Sequence, residues 1–350
     1  MAKSKKHRMK HESLEQIMAE VEELYRAGEG KLSNILIKEL LMNVLKLKSN
    51  NLDTLDLKIM NRALREMRYA FKVFKPYRDT RKVSIFGSAR TPEDNPYYKS
   101  AVELARLLAG AGYMVITGAA DGIMRAGNEG AGAGRSFGVN IHLPMEQGPN
   151  EFIVDDPKLI TFKYFFTRKL LFVMESSAVV LFPGGFGTHD EGFETLTLLQ
   201  TEKASPRPFL LVDLPGENYW EKWDGFVKEQ LLARGLISPA DISLYSIVYS
   251  PEKAVDEVQF FYSTFHSTRQ TGDKLVVRLE KELADSDINE LSEMFGDIIS
   301  AGTIEKTGAL AEEWNEPYLV DKPRIVFSYN HRSAGRLTEM IKRINEMGRA

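Results

Sequence analysis

Two stretches of the sequence hold side chains whose types and spacing could do chemistry. The first is Ala178-Val-Val-Leu-Phe-Pro-Gly-Gly-Phe-Gly-Thr-His-Asp-Glu191, an apolar run followed by a glycine-rich turn and a helix start. Gly184, Gly185 and Gly187 let the backbone turn sharply and approach a ligand with no Cβ in the way. Thr188 then opens a helix whose unpaired N–H groups and positive dipole end favour an anion, most often a phosphate. Thr188-His189-Asp190-Glu191 is equally a capping box, in which Thr188 and Glu191 satisfy each other's backbone donors and do nothing chemical. This stretch alone leaves both readings open. The second is Phe162-Lys-Tyr-Phe-Phe-Thr-Arg-Lys-Leu-Leu-Phe172, an aromatic-rich helix start with two adjacent cations. Neighbours on a helix point about 100° apart, so Arg168 and Lys169 need not share a job. Core aromatics beside a solvated charged edge is the competing reading.

Elements that could position these residues follow from the apolar pattern. Val179, Val180, Leu181 and Phe182 form a run with no polar break, which suits a strand buried on both faces of a parallel sheet. Between Lys82 and Phe265 such strands alternate with helical segments, predicting a doubly wound, Rossmann-like parallel sheet. Strands are expected at Val83–Gly87, Tyr113–Thr117, Phe137–Leu143, Ala178–Phe182, Pro208–Asp213 and Ser246–Tyr249. Helices are expected at Tyr97–Ala109, Ile123–Gly132, Phe165–Glu175, Thr188–Lys203, Tyr219–Ala233 and Pro251–Phe265. Three strand-to-helix connections are rich in Gly, Ser or Thr: Gly87-Ser-Ala-Arg90, Thr117-Gly-Ala-Ala-Asp-Gly122 and the Pro183 turn. Such loops share one edge of the sheet and should face a common crevice. None is the GxGxxG fingerprint, which argues against NAD or FAD.

The flanks differ in texture. Residues 1–11 are basic and polar, and 11–77 show helical periodicity, as at Leu14, Ile17, Val21 and Leu24, with turn formers near Gly28–Gly30 and Ser49–Asn51. That section reads as a helical cap or an oligomerisation surface. After Ser267, a βαββα pattern predicts a small α+β domain, with strands at Leu275–Leu279, Gly302–Ala309 and Arg324–Tyr329 and helices at Asp287–Phe295 and Ala334–Asn345. The expected organisation is a helical section over 1–78, the Rossmann-like domain over 79–266 and the α+β domain over 267–350.

Composition narrows the function classes. A net charge of −3 argues against a general nucleic-acid binder. No apolar run approaches the ~18 residues of a membrane span, and the charged start has no apolar stretch behind it, so a cytoplasmic location is expected. Zero cysteines leave no thiolate nucleophile, and the six histidines are scattered without metal-ligand spacing. His189 is expected to be exposed on its helix.

Taken together, Gly87-Ser-Ala-Arg90, Gly118-Ala-Ala-Asp-Gly-Ile-Met124, Asn140-Ile-His-Leu-Pro144, Arg168-Lys169 and Pro183-Gly-Gly-Phe-Gly-Thr-His-Asp-Glu191 resemble the Lonely Guy family. These are phosphoribohydrolases that release the base from nucleoside 5′-monophosphates, many long mislabelled as lysine decarboxylases. Their signature is an Arg-Lys pair followed by PGGxGTxxE. The resemblance spans about Lys82 to Phe265. It implies catalytic roles for Arg168 and Glu191. It places substrate contacts at Ser88, Gly118, Gly122, Lys169, Gly184, Gly185, Gly187 and Thr188. It implies no cofactor or metal, a substrate such as AMP or a cytokinin riboside monophosphate, and a homodimer or larger even-numbered oligomer. Glu191, in the first turn of its helix, is expected to stay ionised, able to accept a proton from water and poorly suited to protonating the base. Relatives carry GGGPG or GGSxG where this chain has Gly118-Ala-Ala-Asp-Gly122, so Asp121 is expected near the site, paired with Arg90 or Arg125. A decarboxylase would need pyridoxal phosphate on a lysine. Lys169 could be nominated, but nothing nearby supports it. The alternative to hydrolysis is a carrier that holds a nucleotide or phosphorylated cofactor by the same turn without turnover.

Overall fold

A computed structural model describes residues 14–26, 32–143 and 148–349. The basic stretch 1–11, the Gly28–Gly30 turn and Pro144 lie outside the described residues. Two compact units make up the chain, Met1–Leu64 and Arg65–Ala350. The first contains helices α1 (Leu14–Arg26) and α2 (Leu32–Ser49) and the start of α3 (Thr54–Phe74). Helix α2 buries none of its residues, and Leu36, Leu40 and Leu45 are exposed.

Among the described residues, the second unit has a parallel sheet of seven strands ordered β4-β3-β2-β1-β5-β6-β7. The strands are β1 (Lys82–Phe86), β2 (Met114–Thr117), β3 (Ser136–Ile141), β4 (Leu159–Phe162), β5 (Ala178–Leu181), β6 (Phe209–Val212) and β7 (Ser246–Val248). Successive strand residues point to opposite faces. Val179 and Leu181 accordingly join one core with Phe86, Ile116 and Phe137, while Ala178 and Val180 join the other with Val83, Ile85 and Val115. Helices α4 (Pro96–Gly110), α5 (Ile123–Ala131) and α9 (Pro251–Phe261) cover the second face. The first face is covered by α6 (Phe165–Glu175), α7 (Phe186–Gln200), α8 (Tyr219–Phe226) and the end of α3. This is the expected α/β Rossmann-like architecture.

The differences lie at edges and helix ends. Strand β4 was not expected, because it is short, sits at the sheet edge and exposes Thr161. Helix α7 begins at Phe186 rather than Thr188, and α8 gives way at Val227 to a wider π-helical turn. The last helix of the domain stops at Phe261, and Phe265–Thr271 becomes strand β8. Its sequence, Phe-His-Ser-Thr-Arg-Gln-Thr, shows no apolar alternation to announce a strand. With β9 (Lys274–Leu279), α10 (Asp285–Met294), β10 (Ile299–Thr307), β11 (Arg324–Tyr329) and α11 (Ala334–Met347), the small domain reads ββαββα. Its antiparallel sheet has the order β10-β11-β9-β8.

An ionic knot anchors the long β10–β11 connection. Glu313 accepts from Arg278 at 2.5 Å and from Arg324 at 2.6 Å, and all three side chains are at most 2% exposed. Burial alone would raise the Glu313 carboxyl, yet the Leu310 amide and the two guanidiniums hold it below the ordinary range. Removing one partner of a buried pair leaves the other charge uncompensated. Glu313→Gln is expected to cost about 3 kcal/mol in chemical denaturation of the full chain. A loss well below ~1 kcal/mol would show that water already reaches the knot.

Candidate active site

Strand order puts a topological switch point between β1 and β5, and open α/β sheets bind ligands at the carboxyl ends of strands flanking such a point. The two loops leaving these strands are tied together there. The Ser88 amide donates to the Pro183 carbonyl at 3.1 Å, and the Ser88 carbonyl accepts from the Ile123 amide at 3.1 Å, bringing in the loop after β2. Two glycines permit this approach. A Cβ on Gly184 would lie 2.9 Å from the Ser88 nitrogen and 2.1 Å from Thr188 Oγ1. One on Gly122, at φ +62°, would lie 2.2 Å from the Ser88 oxygen.

The loop after β2 is strained and clamped. Ala119 adopts φ 62°, a region disfavoured for a residue with a Cβ. Buried Asn150 holds it, donating its side-chain amide to the Ala119 and Ala120 carbonyls, both at 3.1 Å, and to Asn128 Oδ1 at 3.0 Å. Asp121, in the same loop, is exposed and does not line the cleft. Arg125, its proposed partner, is instead paired with Glu93 and Glu151. The expectation of an Asp121 carboxylate at the site is therefore corrected: the loop turns it outward.

Arg168 comes from the first turn of α6 and is only 7% exposed. Its Nε donates to the Val139 carbonyl at 3.0 Å, and its guanidinium carbon lies 5.2 Å from the centre of the Phe172 ring. A Cβ on Gly118 would fall 2.7 Å from its terminal Nη2, so the missing side chain makes the room the guanidinium occupies.

Glu191 comes from α7 and is 8% exposed. The helix starts at Phe186 with Gly185 at its N-cap and has no side-chain cap, so the capping box does not form. Glu191 consequently sits in the second turn, beyond the unpaired amides expected to keep it ionised. Burial pushes its carboxyl up to about 7, while Arg168 and then Lys169 oppose the rise and Glu194 and Asp190 add to it. The expectation of a permanently ionised Glu191 is thus corrected: near neutral pH it can both accept and donate a proton.

Both charged groups line one cleft of about 810 Å³. Asn140, Met124 and Phe165 form one part of its wall, and the leading residues of α7 another. The amides of Phe186 and Gly187 begin the helix without intrahelical acceptors. Gly185 and Gly187 have open space where a Cβ would stand.

Residues 117–258 match the family model described as "Possible lysine decarboxylase", the label long carried by the Lonely Guy proteins. Over those residues the chain is similar to the Lonely Guy family, in line with the resemblance its motifs carry. Among curated proteins nothing matches. Solved structures similar to part of the chain include a molybdenum cofactor carrier protein from Chlamydomonas reinhardtii, at 20% identity over 51% of this chain and 96% of that one, with TM-score 0.37. A molybdenum cofactor binding protein from Rippkaea orientalis has 20% identity over 51% and 94%, with TM-score 0.35. DNA processing protein A from Helicobacter pylori has 17% identity over 51% and 80%, also with TM-score 0.35.

Of the residues that the Lonely Guy signature singles out, Ser88, Gly118, Arg168, Gly185, Gly187, Thr188 and Glu191 line the cleft. Gly122, Lys169 and Gly184 do not. The two glycines serve loop contact, and Lys169 pairs with Asp190 at 2.8 Å and Glu194 at 2.7 Å, tying α6 to α7. His189 is half-buried rather than exposed, and burial lowers its pKa. Tyr219 Oη donates to the Gly184 carbonyl at 2.5 Å and lies 2.8 Å from His189 Nε2. With the tyrosine proton so used, His189 Nε2 is the donor in that pair. Sequence reading missed Tyr219 because it lies on a separate helix with no signal of its own. Asn140 was in a quoted motif but had no assigned role.

This geometry has two measurable consequences. Gly118→Ala meets only the mobile ends of Arg168 and Met124, so the fold should persist with the guanidinium displaced. A shift of about 1 Å in a positioned group can cost ~100-fold in rate, so any turnover the cleft supports should fall on that order with a nearly unchanged thermal midpoint. The second concerns pH. The folded-state pKa of Glu191, about 7, exceeds the ordinary 4.5, so its stabilising contribution is complete below the lower value and is lost as pH rises through the upper one. Glu191→Gln should therefore be more stable than the natural chain at pH 8 by roughly 1–3 kcal/mol and nearly equal to it at pH 4. Parallel melting curves at the two pH values check this.

Proposed function

We propose that the cleft binds a purine nucleoside 5′-monophosphate and hydrolyses its N-glycosidic bond to free base and ribose 5-phosphate. The observation that carries the reading is the convergence of Arg168 and Glu191 on one cleft that also receives the uncapped start of α7. In this reading the 5′-phosphate sits against the Phe186 and Gly187 amides, helped by the dipole of a helix of 15 residues. The ribose then faces Glu191, and the base lies toward Met124, Phe165 and Asn140.

Breaking the bond develops positive charge on the ribose, which an ionised Glu191 stabilises. Water adds its oxygen to C1′ and gives a proton to Glu191, while the bonding pair leaves with the base, which then takes up the proton that Glu191 releases. Arg168 orients the nucleotide from the opposite wall and donates to the departing base. Binding the phosphate away from the reacting carbon lets remote contacts support the transition state. An even-numbered homo-oligomer belongs to the same proposal. Phe165, Phe166 and Met174 on α6 and Phe186 on α7 are exposed apolar side chains on the two helices that form the site, the kind of surface a second subunit covers.

Incubating the protein with a panel of nucleoside monophosphates, AMP first, and separating products by chromatography tests the reading. Free base and ribose 5-phosphate are expected, with kcat/KM falling as pH drops below about 7 and Glu191 takes up its proton. Glu191→Gln should lose about 100- to 10,000-fold in kcat while still binding the nucleotide. Binding with no base released from any monophosphate would instead identify a carrier.

A further inference from the structure

Helix α6 lacks a cap of its own. Its N-cap residue, Tyr164, makes no side-chain hydrogen bond to the helix, and the first turn contains no acidic residue. The missing acceptor comes from α3, nearly one hundred residues earlier in the chain. Glu66 is 5% exposed, and its Oε1 accepts from the Lys163 amide at 2.7 Å. Its Oε2 accepts from Thr167 Oγ1, also at 2.7 Å. One carboxylate thus grips the chain just before α6 and again in its first turn, at the residue preceding Arg168. A negative group is favoured at this end of a helix. The residues beyond Glu66 on α3 are fixed to the sheet: Ala70 is fully buried, and Phe74 stacks on Phe137 of β3 with ring centres 4.5 Å apart. The same strand supplies the Val139 carbonyl that accepts from Arg168 Nε.

We infer that Glu66 is a positioning residue of the cleft, setting the rotation of the first turn of α6 so that Arg168 faces Glu191. The inference takes its catalytic meaning from the hydrolase reading above, but its structural content does not depend on it. Glu66 lies outside residues 117–258, which match the family model, so that match assigns it nothing. A glutamine here loses the charge that strengthens both bonds: its oxygen still accepts from the Lys163 amide, but its amide donor meets the Thr167 hydroxyl, whose proton then turns to the Tyr164 carbonyl 3.0 Å away. The turn then loosens and the guanidinium withdraws from Glu191.

The test uses the full chain and reads the titration of Glu191 without needing turnover. Thermal midpoints are measured across pH for the natural protein and for Glu66→Gln, each with and without Glu191→Gln, so that the difference isolates Glu191. The charged groups acting on that carboxyl are Arg168, Lys169, Glu194 and Asp190, and Arg168 is the largest that lowers its pKa. With Arg168 withdrawn, the Glu191 titration should move upward by about half a unit or more. If base release is observed, kcat of Glu66→Gln should fall about 10- to 100-fold with KM changed much less, and Glu66→Asp, which keeps the charge, should recover part of the loss. An unmoved Glu191 titration in a folded Glu66→Gln protein would overturn the inference, whatever the activity. Absence of base release in the natural protein would overturn the hydrolase reading alone, and the shift of the Glu191 titration would still decide the role of Glu66.

Discussion

The constraint on which the site depends is that two opposite charges are both buried at the end of one sheet. A carboxylate removed from water favours its neutral form unless a cation stands near, and Glu191 has Arg168 and Lys169 to oppose its neutralisation. Arg168 must in turn be held, because a guanidinium that swings into solvent is screened and stops stabilising its neighbour. Much of the surrounding structure serves that holding: the Val139 carbonyl on Nε, the Phe172 ring near the guanidinium plane and the absent side chain of Gly118.

The balance leaves Glu191 near neutrality rather than fully ionised, which suits a group that exchanges protons at physiological pH. It also means that the site is held against a local cost, because burying the ionised form lowers stability as pH rises. Strain is stored in the same place. Ala119 keeps a left-handed backbone beside the cleft because Asn150 fixes the carbonyls on either side of the turn. Sites that combine strain with displaced pKa values are where function concentrates in α/β folds.

Lys169 shows how one motif divides its labour. It stands next to Arg168 in the chain, yet the helical rotation between adjacent residues sends it to the acidic face of α7. There it ties together the two helices that carry Arg168 and Glu191. Glu66 acts on the same helix from the other side, so α6 is fixed at its start by α3 and along its length by α7.

The sequence by itself determined the periodicity, and with it most of the architecture. The unbroken apolar run Val179–Phe182 suits a strand covered on both faces, which places the glycine-rich turn behind it at the sheet's carboxyl edge. The family resemblance also singled out Arg168 and Glu191, because motif spacing survives in the chain order. Sequence could not reveal edge strands such as β4 and β8, whose side chains are half solvated and carry no clear alternation. Nor could it fix the start of α7, the outward turn of Asp121 or the pKa of Glu191. Each of these depends on how much water neighbouring elements exclude, and those neighbours come from distant parts of the chain. Glu66 belongs to the same class: in sequence it is one acidic residue on an ordinary helix, and only packing against β3 and α6 makes it a cap.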